Sequence, residues 1–287
     1  MRTLYIIGNG FDLWHGLPTS YRQFYEFAQD ILDELEEYYI FNPGSDIPWY
    51  DFENALGTFN ADGFYDYHNE IDASAEDFRP SFAFALEDEL AEASERHVAT
   101  IKDAFIEWVD QVDETQATKK LQFNDNAIFI NFNYTSTLQS VYNIEDKNVL
   151  HIHGCAKKHH DLIFGHGEEI KSIPEVDENG DSNCTMFSDA ESAAKYPLYA
   201  FKKPVNEIIK TMSVNFEKLR DVTDITIIGH SLNKIDLPYF CRISEIVTSA
   251  KWNVVCYTES DKTKHTQALI NCGVSQDKIN TISYDDL

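Results

Sequence analysis

Positive charge is what this sequence has least of. Its 287 residues hold 23 Lys and Arg against 49 Asp and Glu, a formal net charge of -26. So negative a surface repels nucleic-acid phosphates and anionic lipid, which excludes a duplex-coating or membrane-surface role. No nucleic-acid or membrane partner is therefore expected. Uninterrupted apolar runs of about 18 residues are also lacking, so no segment is expected to span a bilayer. The opening Met1-Arg2-Thr3-Leu4-Tyr5-Ile6-Ile7-Gly8 carries a charge, but its apolar stretch is too short for a signal peptide and reads as a strand. Cysteine is sparse: the five residues (155, 184, 241, 256, 272) are odd in number and form no CxxC pair. That pattern fits reduced thiols in a cytoplasmic protein better than a disulfide framework. Internal repeats and low-complexity tracts are absent too.

What is there is globular. Hydrophobic residues make up 43% and charged residues 25%, and a chain of this length buries a core without staples. It allows one domain over 1–287, with a sizeable insertion. The acid marks that insertion: residues 26–125 hold 26 Asp and Glu against five Lys and Arg. The same stretch reads as helical. From Phe82, the residues Leu86, Leu90, Ala93, Val98, Ile101, Phe105, Trp108 and Val112 recur at close to a helical turn, as Tyr21, Phe24, Phe27 and Ile31 do earlier. Residues 41–80 are aromatic and turn-rich, with Asn42-Pro43-Gly44 and Asp62-Gly63 as turns. A solvated helical layer with one apolar stripe accounts for these features.

Elsewhere strands and helices alternate. Strands are expected over Thr3–Gly8, Ala127–Asn131, Asn148–Ile152, Asp224–Gly229, Trp252–Tyr257 and Ile279–Ser283, and helices over Ala190–Leu219, Lys234–Ser249 and Asp261–Asn271. Continuous apolar runs such as Ile225-Thr226-Ile227-Ile228 suit strands covered on both faces. The alternation predicts an α/β fold with a doubly wound, Rossmann-like parallel sheet, whose ligands sit at the carboxyl ends of the strands.

Four strand ends carry candidate chemistry. The first runs Gly8-Asn9-Gly10-Phe11-Asp12-Leu13-Trp14-His15-Gly16-Leu17-Pro18. Glycines at 8 and 10 allow a tight turn and let backbone N–H groups approach a phosphate, although Leu13 stands where the dinucleotide fingerprint has its third glycine. Asp12 can accept from ribose hydroxyls or steady His15; a helix-capping role is the plain alternative. The second is Asn131-Phe132-Asn133-Tyr134-Thr135, whose amides orient a water or a ribose hydroxyl, or simply cap a helix from about Ser136. The third is His151-Ile152-His153-Gly154. Alternate residues of a strand share a face, so His151 and His153 are expected to point together, and the glycine favours close backbone approach. The fourth, Gly229-His230-Ser231-Leu232-Asn233-Lys234-Ile235-Asp236, is expected to open a helix whose N-terminus attracts anions.

Taken together, these sites resemble the sirtuin-like NAD-binding family: glycine, small residue, glycine, then Gly16-Leu17-Pro18, with Asn133, His153-Gly154 and Gly229-x-Ser231 following in order. Thr135 departs from the aspartate usual there. The chain as a whole resembles the bacterial AbiH family of phage-defence proteins, through Ile7-Gly8-Asn9-Gly10-Phe11-Asp12, residues 131–135, residues 152–154 and Gly229-His230-Ser231-Leu232 with Asp236 following. The resemblance implies a sirtuin-like core that binds NAD or a related nucleotide as ligand or substrate. Gly8, Asn9, Gly10, Phe11, Asp12, His15, Gly16, Pro18, Gly229, Ser231 and Asp236 would line its nucleotide side. A protein deacylase is disfavoured because only Cys155 and Cys184 follow where that class has a four-cysteine zinc module. What remains is hydrolysis of the nicotinamide–ribose bond, with Asn133 positioning water or ribose and His153 as general base, a task that suits an imidazole. A phage-derived or host trigger and homo-oligomerisation are further expectations of a defence enzyme.

Three other readings compete. Ser231 with His265 and Asp236 or Asp261 resembles a serine-hydrolase elbow, but Asn233 replaces its last glycine. Cys155, His159, His160 and His166, near His151 and His153, are zinc-type ligands, yet His159-His160 beside Lys157-Lys158 reads as an exposed turn, and no metal is expected. The third is a non-catalytic nucleotide-sensing or partner-binding module, which Thr135 in the aspartate's place favours.

Overall fold

In the computed structural model, residues 2–41, 49–171, 174 and 176–287 are described; the expected turn Asn42-Pro43-Gly44 lies outside them. The chain divides into two compact units. The first comprises residues 1–20, 109–163 and 204–287, and the second residues 21–108 and 164–203.

The first unit is built on six parallel strands: β1 (Thr3–Ile7), β2 (Ile128–Asn131), β3 (Val149–His151), β4 (Asp224–Ile228), β5 (Lys251–Cys256) and β6 (Ile279–Ser283). Their spatial order is β3-β2-β1-β4-β5-β6, with Ile6 level with Ile130 on one side and with Ile227 on the other. This is the doubly wound, Rossmann-like arrangement, and the strand order reverses at β1, between β2 and β4. Such a switch point leaves a crevice outside the carboxyl ends of the strands. Leu4 and Ile6 enter one apolar cluster with Ile225, Ile227, Tyr239 and Phe240; Tyr5 and Ile7 enter the other with Phe129, Leu138 and Ile228. The two-residue repeat of a strand thus loads both faces, which is why these runs are apolar throughout.

Several elements differ from expectation for local reasons. The helix expected over 190–219 is four short ones, Ser188–Ala194, Tyr196–Ala200, Val205–Thr211 and Ser213–Glu217. Pro197 sits in the first turn of the second, and Pro204 precedes the third. Helix Glu259–Asn271 starts two residues early because Thr258 and Asp261 form a capping box. Helix Leu237–Ile246 starts only after Asp236, so Gly229–Asp236 is a loop and not a helix opening. The reading of five reduced thiols is corrected at one pair: Cys241 and Cys272 form a disulfide, while Cys155, Cys184 and Cys256 are free.

Of the acidic stretch 26–125, the second unit holds residues 26–108 and the first unit the rest; the stretch is largely helical: Tyr21–Phe27, Gln29–Leu35, Phe52–Leu56, Ala61–His68 and the 30-residue Ser81–Asp110. Asp62-Gly63 falls inside a helix, because the Asn60 side chain accepts from the Gly63 N–H and caps it. Aromatic rings fill the interior, Phe105 stacking on Phe52 and Phe24 meeting Phe52, Phe105 and Trp108. A Lys203–Glu53 ion pair at 2.8 Å is buried among them.

Candidate functional site

The loops after β1 and β4 interlock through glycine. The Gly8 N–H donates to the Ile228 carbonyl at 3.0 Å, and the Gly10 N–H donates to the Gly229 carbonyl at 2.8 Å. A Cβ at Gly10 would lie 2.8 Å from Gly229 Cα, and one at Gly229, whose φ is +73°, would lie 2.1 Å from the Phe11 nitrogen. The close approach these glycines permit is therefore between two loops of the protein, and the N–H groups of Gly8 and Gly10 are already paired. Gly16 has an equally internal role. Its N–H bonds to the Leu13 carbonyl and the Leu17 N–H to the Asp12 carbonyl. With φ +81° at Gly16, this is the left-handed stop of helix Asn9–Trp14. Asn9 Nδ2 donates to the Thr19 carbonyl at 2.7 Å, tying the loop's start to its end, with Pro18 exposed beside it. Phe11 is fully buried against His15. His15 has both ring nitrogens engaged, Nδ1 with the Phe11 carbonyl and Nε2 with the Tyr142 hydroxyl, each at 2.7 Å. Burial lowers its pKa, so it stays neutral.

Asp12 is different. It lies 1% exposed on the short helix after β1. Its Oδ2 accepts from the Thr135 hydroxyl at 2.5 Å, and Thr137 donates in turn to Thr135 at 3.2 Å. Its Oδ1 has no hydrogen-bond partner. Burial pushes the carboxyl up to about 6, against the opposing pull of Thr135, Thr137 and Asn133. Thr135, where the family resemblance leads one to expect an aspartate, is thus the hydroxyl that holds Asp12. Next to it, Asn133 follows β2 with its N–H on Asn131 Oδ1 at 3.1 Å. Neither the oxygen nor the nitrogen of its buried side-chain amide meets a partner in hydrogen-bonding geometry.

His151 and His153 part company. β3 ends at His151, so the alternation that would keep the two rings on one face stops there. The amides of Asn131 and Gln139 flank the His151 ring at 3.4 and 3.0 Å. Burial foremost, with the Lys158 charge next, lowers its pKa to about 4. His153 instead packs on Phe132 and Tyr239. Its Nε2 lies 3.4 Å from Asp236 Oδ1, within ion-pair range but outside good hydrogen-bond geometry. The close neighbour of Gly154, at φ +86°, is the Asp161 carbonyl, 2.4 Å from where a Cβ would sit.

Asp236, expected on the nucleotide side, faces two histidines: its other oxygen is 3.7 Å from His230 Nε2. The His230 Nδ1 accepts from the Leu232 N–H at 3.0 Å, so its remaining proton is on Nε2, toward Asp236. His230 enters the sequence reading only as part of the Gly229-His230-Ser231-Leu232 motif and is given no role there. Glu114 is a residue that sequence reasoning passes over. Its buried carboxylate takes the Ser136 N–H at 2.8 Å, the Ser140 hydroxyl at 3.2 Å and the Lys157 ammonium, and so anchors the segment that carries Asn133 and Thr135. Nothing in its local sequence distinguishes it from the other acids around it.

Ser231 is exposed; the buried His265 meets its backbone, not its hydroxyl, feels the Asp261 charge, and places Nδ1 3.6 Å from the Cys256 thiol. Among the described residues no group of three His, Cys, Asp or Glu is placed to hold a metal ion, and no helix is long and apolar enough to cross a membrane.

A parallel Rossmann-like sheet with buried polar side chains beyond the ends of β1, β2, β3 and β4 defines a doubly wound α/β protein. Neither a curated protein nor a solved structure matches the chain. The sequence profile of the Bacteriophage abortive infection AbiH family matches residues 4–257, and the chain belongs to that family.

Proposed function

We propose that this phage-defence protein binds NAD, or a related nucleotide, and hydrolyses the nicotinamide–ribose bond. The observation that supports this most is the buried side-chain amide of Asn133 just beyond β2, neither of whose polar atoms has a partner in good geometry. Leaving such groups unpaired costs about 1–3 kcal/mol each, a cost that substrate and water would relieve. Asn133 orients the water or the ribose, since an amide takes up no proton at neutral pH. His153, whose Nε2 faces the Asp236 carboxylate 3.4 Å away, accepts the water's proton on its other ring nitrogen, Nδ1, as the new C–O bond forms. The loops at 8–18 and 229–236, including Ser231, frame the nucleotide. A non-catalytic nucleotide sensor is the second reading, favoured by Thr135 standing where the resemblance expects an aspartate.

Because an NAD-depleting enzyme must be held off in healthy cells, the test is made in cells challenged with phage, following NAD with time. Wild type should deplete NAD, whereas His153→Ala and Asn133→Ala should each lose activity about 10²–10⁴-fold with the fold intact. If protected cells keep their NAD and His153→Ala protects equally well, the cleavage reading is wrong and the sensor reading stands.

A further inference from the structure

That assignment gives Asp12 no part in the chemistry, although a buried carboxylate is costly to keep. It is a carboxylate with almost no solvent contact, and no cation stands among the groups that set its ionisation. Its neighbours are the neutral Thr135, Thr137 and Asn133. It does no visible structural work through Oδ1, which has no partner. Nor does it cap its helix, where Gly8 occupies the N-cap. A two-hydroxyl chain nevertheless fixes its other oxygen, with Thr137 donating to Thr135 and Thr135 donating to Asp12. One oxygen is held in good geometry, while the other has only the Asn133 amide near enough to pull on the carboxyl, and that amide meets no partner in hydrogen-bonding geometry. A carboxylate placed only for stability would have both oxygens satisfied.

We propose that Asp12 is a catalytic residue of this site, whose Oδ1 stabilises the positive charge that develops on the ribose as nicotinamide departs. The inference rests on the NAD-cleavage reading. In that reaction the C1′–N bond breaks with its electron pair leaving on the nicotinamide nitrogen, which neutralises the pyridinium. The sugar passes through an oxocarbenium-like state. The water oxygen then bonds to C1′, and its proton goes to His153. Asp12 takes up and gives off no proton; it supplies a fixed negative charge in a dry setting, where such a charge acts more strongly than in water. Its position explains why a threonine suffices at 135: the carboxylate is delivered from residue 12.

The test compares wild type with Asp12→Asn, which keeps the shape and can still accept from Thr135, and with Asp12→Ser, which leaves room for water. Each protein is isolated from phage-challenged cells. Nicotinamide release from NAD gives kcat and KM, and a melting curve without nucleotide is recorded at about pH 7. The expected result is a fall in kcat of about 10²–10³-fold with KM nearly unchanged, together with a melting temperature equal to or above that of wild type, since a buried unpaired charge has been removed. Undiminished kcat in Asp12→Asn overturns the inference and leaves NAD cleavage standing. A fall in kcat accompanied in both variants by a clear fall in melting temperature also overturns it, by making the carboxylate structural. If wild type itself releases no nicotinamide, the cleavage reading fails and takes this inference with it.

Discussion

His97 shows how a single residue can tune this molecule without touching its candidate site. It lies buried in the second unit, its Nε2 against the Tyr39 hydroxyl at 2.8 Å and its ring among Phe59 and Phe64. Burial lowers its pKa from 6.5 to about 4. The folded form therefore stays neutral where the unfolded chain takes up a proton. The stability tied to that difference is complete above about pH 6.5 and is lost as pH falls toward about 4, a swing of roughly 3 kcal/mol. His97→Phe should flatten the acid side of a plot of melting temperature against pH, measured by calorimetry, by about that amount; an unchanged slope would mean the imidazole is not the titrating group. Asp12 works in the opposite sense. Its folded pKa is raised from 3.8 to about 6, so its contribution is present below about pH 4 and is lost as pH rises through about 6. Both residues stand in the sequence among many of their type, and only the packing around each sets its behaviour.

Among the elements, the glycine interlock between the loops after β1 and β4 is the most constrained. Gly229→Ala would have to hold φ near +73° and push a methyl against the Phe11 nitrogen. Left-handed strain and overpacking together should cost about 2–5 kcal/mol, at about 2–4 °C of melting temperature per kcal/mol. The loss should appear by differential scanning calorimetry with no nucleotide added. A variant that melts like wild type and fails only in nucleotide binding would show the glycine is there for the ligand. The four motif loops were legible in the sequence as strand-end positions, but the partners of their glycines were not, because contacts across more than 200 residues of chain leave no local periodicity. The long helix Ser81–Asp110 behaves similarly. Its stripe was legible at Leu86, Leu90, Val98, Ile101 and Phe105, all buried, but between Leu90 and Val98 the buried positions are Ser94 and His97, and the expected Ala93 is only half-buried. A polar residue on a buried face cannot be told from a solvated one until its partner is known; here Ser94 donates to the Ala193 carbonyl at 2.9 Å and His97 meets Tyr39.

At the scale of the whole molecule, charge dominates. A net charge of -26 repels itself in the compact state. Raising NaCl from about 0.01 to about 0.15 M shortens the screening length from about 30 to about 8 Å, so the melting temperature should rise by a few degrees. A flat or falling response in the same buffer would mean that the acids are already compensated locally. This excess of acid, the α/β alternation, the six strands to within two residues at their ends and the order of the four motif loops were all determined by the sequence itself. They rest on composition and on periods of two and 3.6 residues, which are local properties. Tertiary structure alone decided that His151 and His153 diverge, because a strand's alternation holds only as far as the strand. It also decided that Asp236 faces two histidines, that Cys241 meets Cys272, and that Thr135 holds Asp12 by one oxygen. Each of these depends on which side chain a distant segment brings within about 3–4 Å, and at that range hydrogen bonding and desolvation, not pattern, set what a residue can do.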